Sequence, residues 1–156
     1  RESGSRCKSM SGEARKMSLL IRDLPKVKIV SPFGERYRRG RTERHLGIDV
    51  RVIDGQYRVH DVIAPEDIEV TDVKYDKMWG HYIFAKPLDK NTLGIDGFEF
   101  WHIVPGVKKG DIVKGGDILG KPESGYVDLH LHFVTKKAGV HVDPVKYLKL
   151  RDAEME

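Results

Sequence analysis

Two short arrays of histidine and carboxylate stand out in this chain: His45-Leu46-Gly47-Ile48-Asp49 and, far downstream, His130-Leu131-His132. Imidazole and carboxylate are the ligands that zinc accepts where thiolates are lacking, and a catalytic zinc site has three protein ligands with one position left for water. Cys7 is the sole cysteine, so neither a thiolate cluster nor an intramolecular disulfide can be built within one chain. In a strand, residues i and i+2 share a face, which sends His130 and His132 into the same space with Cα atoms roughly 7 Å apart. A straight strand separates His45 from Asp49 by about 13 Å, too far for both to reach one ion, so the chain must bend between them. Gly47 sits where that bend is needed, with His45 in the approach loop and Asp49 near the start of a strand that continues through Ile48, Val50, Val52 and Ile53. A helical i, i+4 pair is the competing geometry, and Gly47 with the β-branched residues argues against it. Either array alone is commonly structural; together they point to one metal site.

The elements that must carry these residues read as short strands. After Pro25, Val, Ile and Tyr alternate with polar residues in runs punctuated by Gly and Pro, at roughly the 8- to 12-residue interval of an all-β domain. The predicted strands cover residues 26–30, 48–53, 61–64, 68–75, 81–86, 99–103, 117–120 and 129–135, with 89–97 as a loop between two paired strands. No long helical pattern interrupts this series, which disfavours a parallel α/β sheet. The fold class is therefore mainly β, an antiparallel β-sheet domain. Ahead of it, residues 1–10 are polar and lack periodicity, as in a flexible tail. From Ser11, a candidate N-cap, Ala14, Met17, Leu20, Ile21 and Leu24 recur at helical spacing until Pro25 stops the pattern, predicting one short N-terminal helix. Residues 1–26 thus read as tail plus amphipathic helix, 27–150 as the β domain and 151–156 as a C-terminal tail.

With 156 residues, 39% of them hydrophobic, the chain fits a single core. Its formal charge is +4, and Arg36, Arg38, Arg39, Arg41 and Arg44 crowd together in what reads as a basic loop. That run favours an anionic partner or is a solvated surface; no aromatic-interleaved recognition motif accompanies it, so nucleic acid is not expected. No stretch approaches the roughly 18 to 20 apolar residues of a membrane-spanning helix, and the start lacks a basic segment followed by an apolar core. Cys7 reads as an exposed thiol in the tail, without an activating neighbour.

A longer series of landmarks frames the two arrays. Ser31-Pro32-Phe33-Gly34 precedes the first; Phe100-Trp101-His102-Ile103 and a Val107-to-Gly120 segment containing Lys108-Lys109-Gly110-Asp111 separate it from the second; Val142-Asp143-Pro144 closes the series. In this order the motifs resemble those of lysostaphin-like (LytM-type) zinc metalloendopeptidases, which hydrolyse peptidoglycan, and the resemblance covers about residues 28–148. It implies a β domain of lysostaphin/LytM type holding one Zn2+ per chain on His45, Asp49 and His132, with His102 and His130 as the catalytic histidines. The implied chemistry is Lewis-acid activation of a scissile carbonyl and of water. His130 would take or return a proton and His102 would orient water or stabilise the tetrahedral intermediate, the division between them being open. The implied substrate is a peptidoglycan peptide, at a stem cross-link or an interpeptide bridge, and the implied location is the bacterial cell envelope, periplasmic or secreted. His60, His81 and His141 match no functional position and read as surface or packing residues.

The chain also departs from that pattern. The segment before His130 reads Lys121-Pro122-Glu123-Ser124-Gly125-Tyr126-Val127-Asp128-Leu129, where a small Gly-, Ser- and Thr-rich turn ending in Gly-Pro is usual, and bulky Tyr126 and Leu129 imply a reshaped groove. His81 replaces the usual Asn of the middle hairpin, and Glu66-Asp67-Ile68 replaces an Asp-Gly turn. Two other readings are weighed. A non-catalytic LytM-fold scaffold or regulator of cell-wall enzymes is expected to have lost ligands, and none is lost here. A biotinyl-lipoyl carrier, suggested by the Val107-to-Leu119 string, needs a modifiable lysine between methionines, and no such tripeptide occurs.

Overall fold

The computed structural model of the chain describes residues 18–91, 93–125, 129–148 and, for the backbone alone, 153–155. Among these residues, nine strands join in one sheet. In spatial order they are β10 (Ile112–Val113), β6 (Ile68–Asp76), β7 (Gly80–Pro87), β8 (Gly97–Trp101), β12 (Leu131–Lys137), β4 (Ile48–Val50), β1 (Val27–Ser31) and β14 (Ala153–Met155), with β13 (Val140–Val142) also paired to β12. All these pairings are antiparallel except β14 on β1. A smaller sheet runs β9 (Ile103–Pro105), β11 (Ile118–Pro122), β5 (Val62–Ile63), and β2 (Gly34–Arg38) pairs with β3 (Arg41–His45) as a separate hairpin.

Alternation along the central strands separates core from site. Phe98 and Phe100 of β8, Leu131 and Phe133 of β12, and Ile48 and Val50 of β4 are buried in one core. Phe133 stacks on Phe98 with ring centroids 6.1 Å apart. The intervening residues Glu99, Trp101, His132 and Asp49 take the opposite face and line a cleft. Register then does the rest: His132 lies directly opposite Asp49 on β4 and opposite Trp101 on β8. A one-residue slip would turn both ligands into the core, so the burial of Phe133, worth about 3–5 kcal/mol against alanine, also fixes where the site residues point.

Three differences from the sequence expectations have physical causes. The predicted strand over 99–103 is broken by His102, whose backbone is left-handed (φ 68°) where the chain passes from the large sheet into the small one. The basic run is a regular hairpin and not a loop; its charged residues have weak strand propensity, but Arg39 (φ 54°) and Gly40 (φ 80°) supply the two positive φ angles of a type I′ turn. The predicted N-terminal helix begins outside the described residues, as do the polar tail and Cys7, and its described part, from Ser18 to Leu24, is not helical. There Ser18 Oγ accepts the amides of Leu20 and Ile21, and Ile21 bridges to Val62 of β5, so tertiary pairing overrides the helical spacing. Leu20 and Ile21 are fully buried nonetheless. The short helix among the described residues is α1 (Pro144–Leu148), with Pro144 at its first position and Asp143 Oδ1 accepting the Val145 amide as its cap. The stretch expected as a C-terminal tail contributes β14.

Candidate metal centre

β3 ends at His45, two residues bend, and β4 begins at Ile48, so the turn expected at Gly47 is present. Its glycine is required by close approach: a Cβ there would lie 2.4 Å from the Phe133 carbonyl oxygen, 2.8 Å from Val134 Cγ2 and 3.1 Å from His132 Cε1. The bend folds His45 back over Asp49, bringing His45 Nε2 to 3.3 Å from Asp49 Oδ1 and 3.2 Å from His132 Nδ1. His132 Nδ1 is 2.9 Å from the same carboxylate oxygen. The donor atoms of these three residues all lie within 4.8 Å of one another.

The chemistry of that donor set fits a divalent cation. His45 Nδ1 donates to the Pro32 carbonyl at 2.8 Å, which fixes the proton on that nitrogen and leaves Nε2 as a lone pair facing the cluster. Two imidazole nitrogens and a carboxylate oxygen thus converge; one proton satisfies a single pair among them, whereas one cation satisfies all three. Tetrahedral zinc with ligand bonds of about 2.0–2.1 Å separates its ligand atoms by about 3.3 Å, close to what these side chains already show. Burial alone would raise the Asp49 carboxyl, but hydrogen bonds from His130, His132 and His45 outweigh it and hold the group well below the usual carboxylate range. Asp49 therefore stays ionised.

The remaining sequence-derived residues fall around this cluster. His130 precedes β12 with Nε2 3.4 Å from Asp49 Oδ1, and its ring meets that of His102 edge-on at 4.9 Å. His102 Nδ1 donates to the Trp79 carbonyl at 2.7 Å, leaving Nε2 as the acceptor. Burial pushes the His102 imidazole down to about 4, overcoming the opposite pull of the Trp79 carbonyl, with His130 adding to the decrease. All five residues line an open cleft of about 940 Å³. Leu129 lines it too, while Tyr126 lies outside the described residues.

Other neighbours were not legible as such. Arg36, expected only as part of a basic run, is the cross-strand partner of Glu43 and brings Nη1 to 3.6 Å from Asp49 Oδ2, while donating from Nη1 to Ser31 Oγ at 2.6 Å. Alternation along the hairpin was the available signal, since it puts Arg36, Glu43 and His45 on one face. Arg44, on the other face, lies over Phe33 at 5.4 Å. His141, read as a packing residue, lines the cleft, and burial followed by nearby Lys136 lowers its pKa. His60 is structural, held between Asp54 and the Arg22 carbonyl.

No protein-family model matches the chain, and no curated protein matches it by sequence. Solved structures do. A chain from the SpoIIIAH and SpoIIQ complex has a TM-score of 0.65 at 21% identity, over 81% of this chain and 96% of that one. The catalytic domain of the prophage-encoded M23 protein EnpA from Enterococcus faecalis has a TM-score of 0.60 at 25% identity, over 78% and 91%. Lysostaphin has a TM-score of 0.61 at 24% identity, over 82% of this chain and 52% of that chain. The fold is thus the mainly antiparallel β domain of M23 and lysostaphin type, and it carries a His-Asp-His cluster suited to one metal ion.

Proposed function

We propose that this chain is a zinc-dependent endopeptidase that hydrolyses a peptide bond of peptidoglycan, at a stem cross-link or an interpeptide bridge. The observation that carries the proposal is the meeting of His45, Asp49 and His132 at one point of an open cleft, with two further imidazoles, His102 and His130, beside them. A zinc ion held by the three ligands supplies Lewis acidity to a carbonyl and lowers the pKa of water towards about 7. The chain's own groups do the remaining work. Asp49 contributes the negative charge, and Pro32 and Arg36 orient His45 and Asp49 respectively. His102, uncharged at neutral pH with its Nδ1 proton committed to Trp79, offers Nε2 to accept a proton from the attacking water. The proton taken up there is then returned to the leaving amine, and His130, whose ring meets that of His102 edge-on at 4.9 Å, lies beside that path.

The likeness to the EnpA catalytic domain and to lysostaphin supports a peptidase; the peptidoglycan substrate and an envelope location, periplasmic or secreted, follow from the sequence resemblance. A non-catalytic partner-binding role is the second reading, favoured by the likeness to a chain from the SpoIIIAH and SpoIIQ complex and disfavoured by the complete ligand set. Digestion of purified sacculi with and without a zinc chelator distinguishes them. Chelator-sensitive release of fragments with a new peptide terminus is expected; no release from protein shown to hold zinc would overturn the peptidoglycan reading.

A further inference from the structure

We infer that Glu123 and His81 form a clamp that positions His102, acting on the proposed hydrolysis without touching substrate or ligands; the catalytic consequence rests on the peptidase reading, the clamp on geometry alone. His102 has the left-handed backbone that residues other than glycine keep only where their surroundings impose it. Three contacts impose it here. Its amide donates to the His81 carbonyl at 3.0 Å, its carbonyl accepts the Glu123 amide at 2.8 Å, and its Nδ1 donates to the Trp79 carbonyl at 2.7 Å.

Two of those contacts come from the tip of the β6–β7 hairpin, where Lys77, Met78 and Trp79 are exposed, so something must tie the tip down. Glu123 does so. Its side chain is 9% exposed, and both carboxylate oxygens are spent on His81: Oε1 accepts the backbone amide at 2.7 Å and Oε2 pairs with Nδ1 at 2.6 Å. Residues 79–81, 102 and 123 therefore close a ring of contacts between the large sheet and the small one, at the junction that His102 occupies. A buried carboxylate holding two short contacts cannot let go of one without leaving charge unpaired, which makes the ring stiff. Glu123 and His81 are also positions at which the chain departs from the lysostaphin-like pattern, and the two departures touch each other.

The test uses the full chain loaded with zinc and the substitution Glu123→Gln. Expected is a fall in kcat of about 10- to 100-fold, the scale of losing an outer partner of a site residue, with KM and zinc affinity unchanged. The 15N signature of His102, a single Nδ1-protonated tautomer in the wild type, should become a mixture. A folded Glu123→Gln protein with wild-type kcat and an unchanged His102 signature overturns the clamp, as does a variant that only unfolds more easily while its folded fraction stays fully active. If Glu123→Gln does not fold, His81→Asn, which keeps the amide for Oε1 and removes the ring contact, is judged by the same readouts. Wild-type protein that releases nothing from sacculi sinks the peptidoglycan reading instead, and the ring signature still decides the clamp.

Discussion

Gly47→Ala adds one methyl group at the bend that folds His45 back over Asp49. Gly47 is not left-handed, so alanine is compatible with its backbone and any cost comes from contact. The new Cβ would stand 2.4 Å from the Phe133 carbonyl oxygen. Ordinary carbon–oxygen contacts are about 3.3 Å, so the two segments must part by about 0.9 Å. The obstructing atom is backbone and cannot swing aside, which puts the cost towards the upper part of the overpacking range, about 2–3 kcal/mol. For a domain of this size that lowers Tm by about 4–12 °C. The displacement also exceeds the roughly 0.5 Å tolerance of a built site, and His132 is next to the residue that must move. Zinc affinity should then weaken by about 10- to 100-fold. The assay is urea unfolding of the metal-free protein together with zinc titration against a competing chelator. Gly55→Ala is the control, because nothing lies within 4 Å of its Cβ position and its φ is not positive; it should be neutral or mildly stabilising. A Gly47→Ala protein as stable as wild type and equal in zinc affinity would refute the contact argument.

Three further outcomes follow from the same geometry. His132→Ala should lose both metal and activity, whereas His130→Ala should keep metal and lose most activity; equal metal loss by mass spectrometry would overturn that division. Arg36→Ala removes the cation beside Asp49 Oδ2, and zinc binding should weaken by about 10- to 100-fold. Arg36→Lys should not restore it, since an ammonium lacks the second nitrogen that stands 3.3 Å from Glu43 Oε1 while Nη1 faces Asp49; full rescue by lysine would show that charge alone suffices. Finally, between pH 6.5 and about 4 the unfolded chain binds a proton that folded His102 refuses, so the metal-free protein should lose stability on acidification across that window and gain it back as pH rises. His102→Gln should flatten that part of the profile, and unaltered slopes in urea unfolding would count against it.

Alternation was the legible part of this molecule. The period-two patterns around Phe98, Phe133 and Ile48 marked the central strands, and the same period put His130 and His132 on one side. Gly47 was legible as a bend, yet its reason, the approach of the Phe133 carbonyl, depends on a strand more than eighty residues away. The arginine hairpin was obscured because charged residues score poorly as strand formers, although its turn chemistry was present in Arg39-Gly40. Over its described part, Ser18 to Leu24, the helical spacing misled because Leu20 and Ile21 are apolar for a different reason: they cap the core beside β5. Glu123 carried no local signal, since a buried carboxylate is recognisable only once its partner is known. His45, Asp49, His130 and His132 needed no such partner information, being unusual together in type and spacing, while His102 was marked by the family resemblance alone.

The cross-strand placement of His132 against Asp49 has a consequence for how the chain assembles. The two residues are 83 positions apart, and His45 is 87 from His132. Local hairpins such as β2–β3 and β6–β7 form without bringing them together, and only the long-range, entropically costly closure of β12 onto β4 does so. Ion uptake at this cluster therefore reports that pairing: a chain with only its local hairpins has the ligands but not the site, and a bound ion acts as a rivet across two strands far apart in sequence.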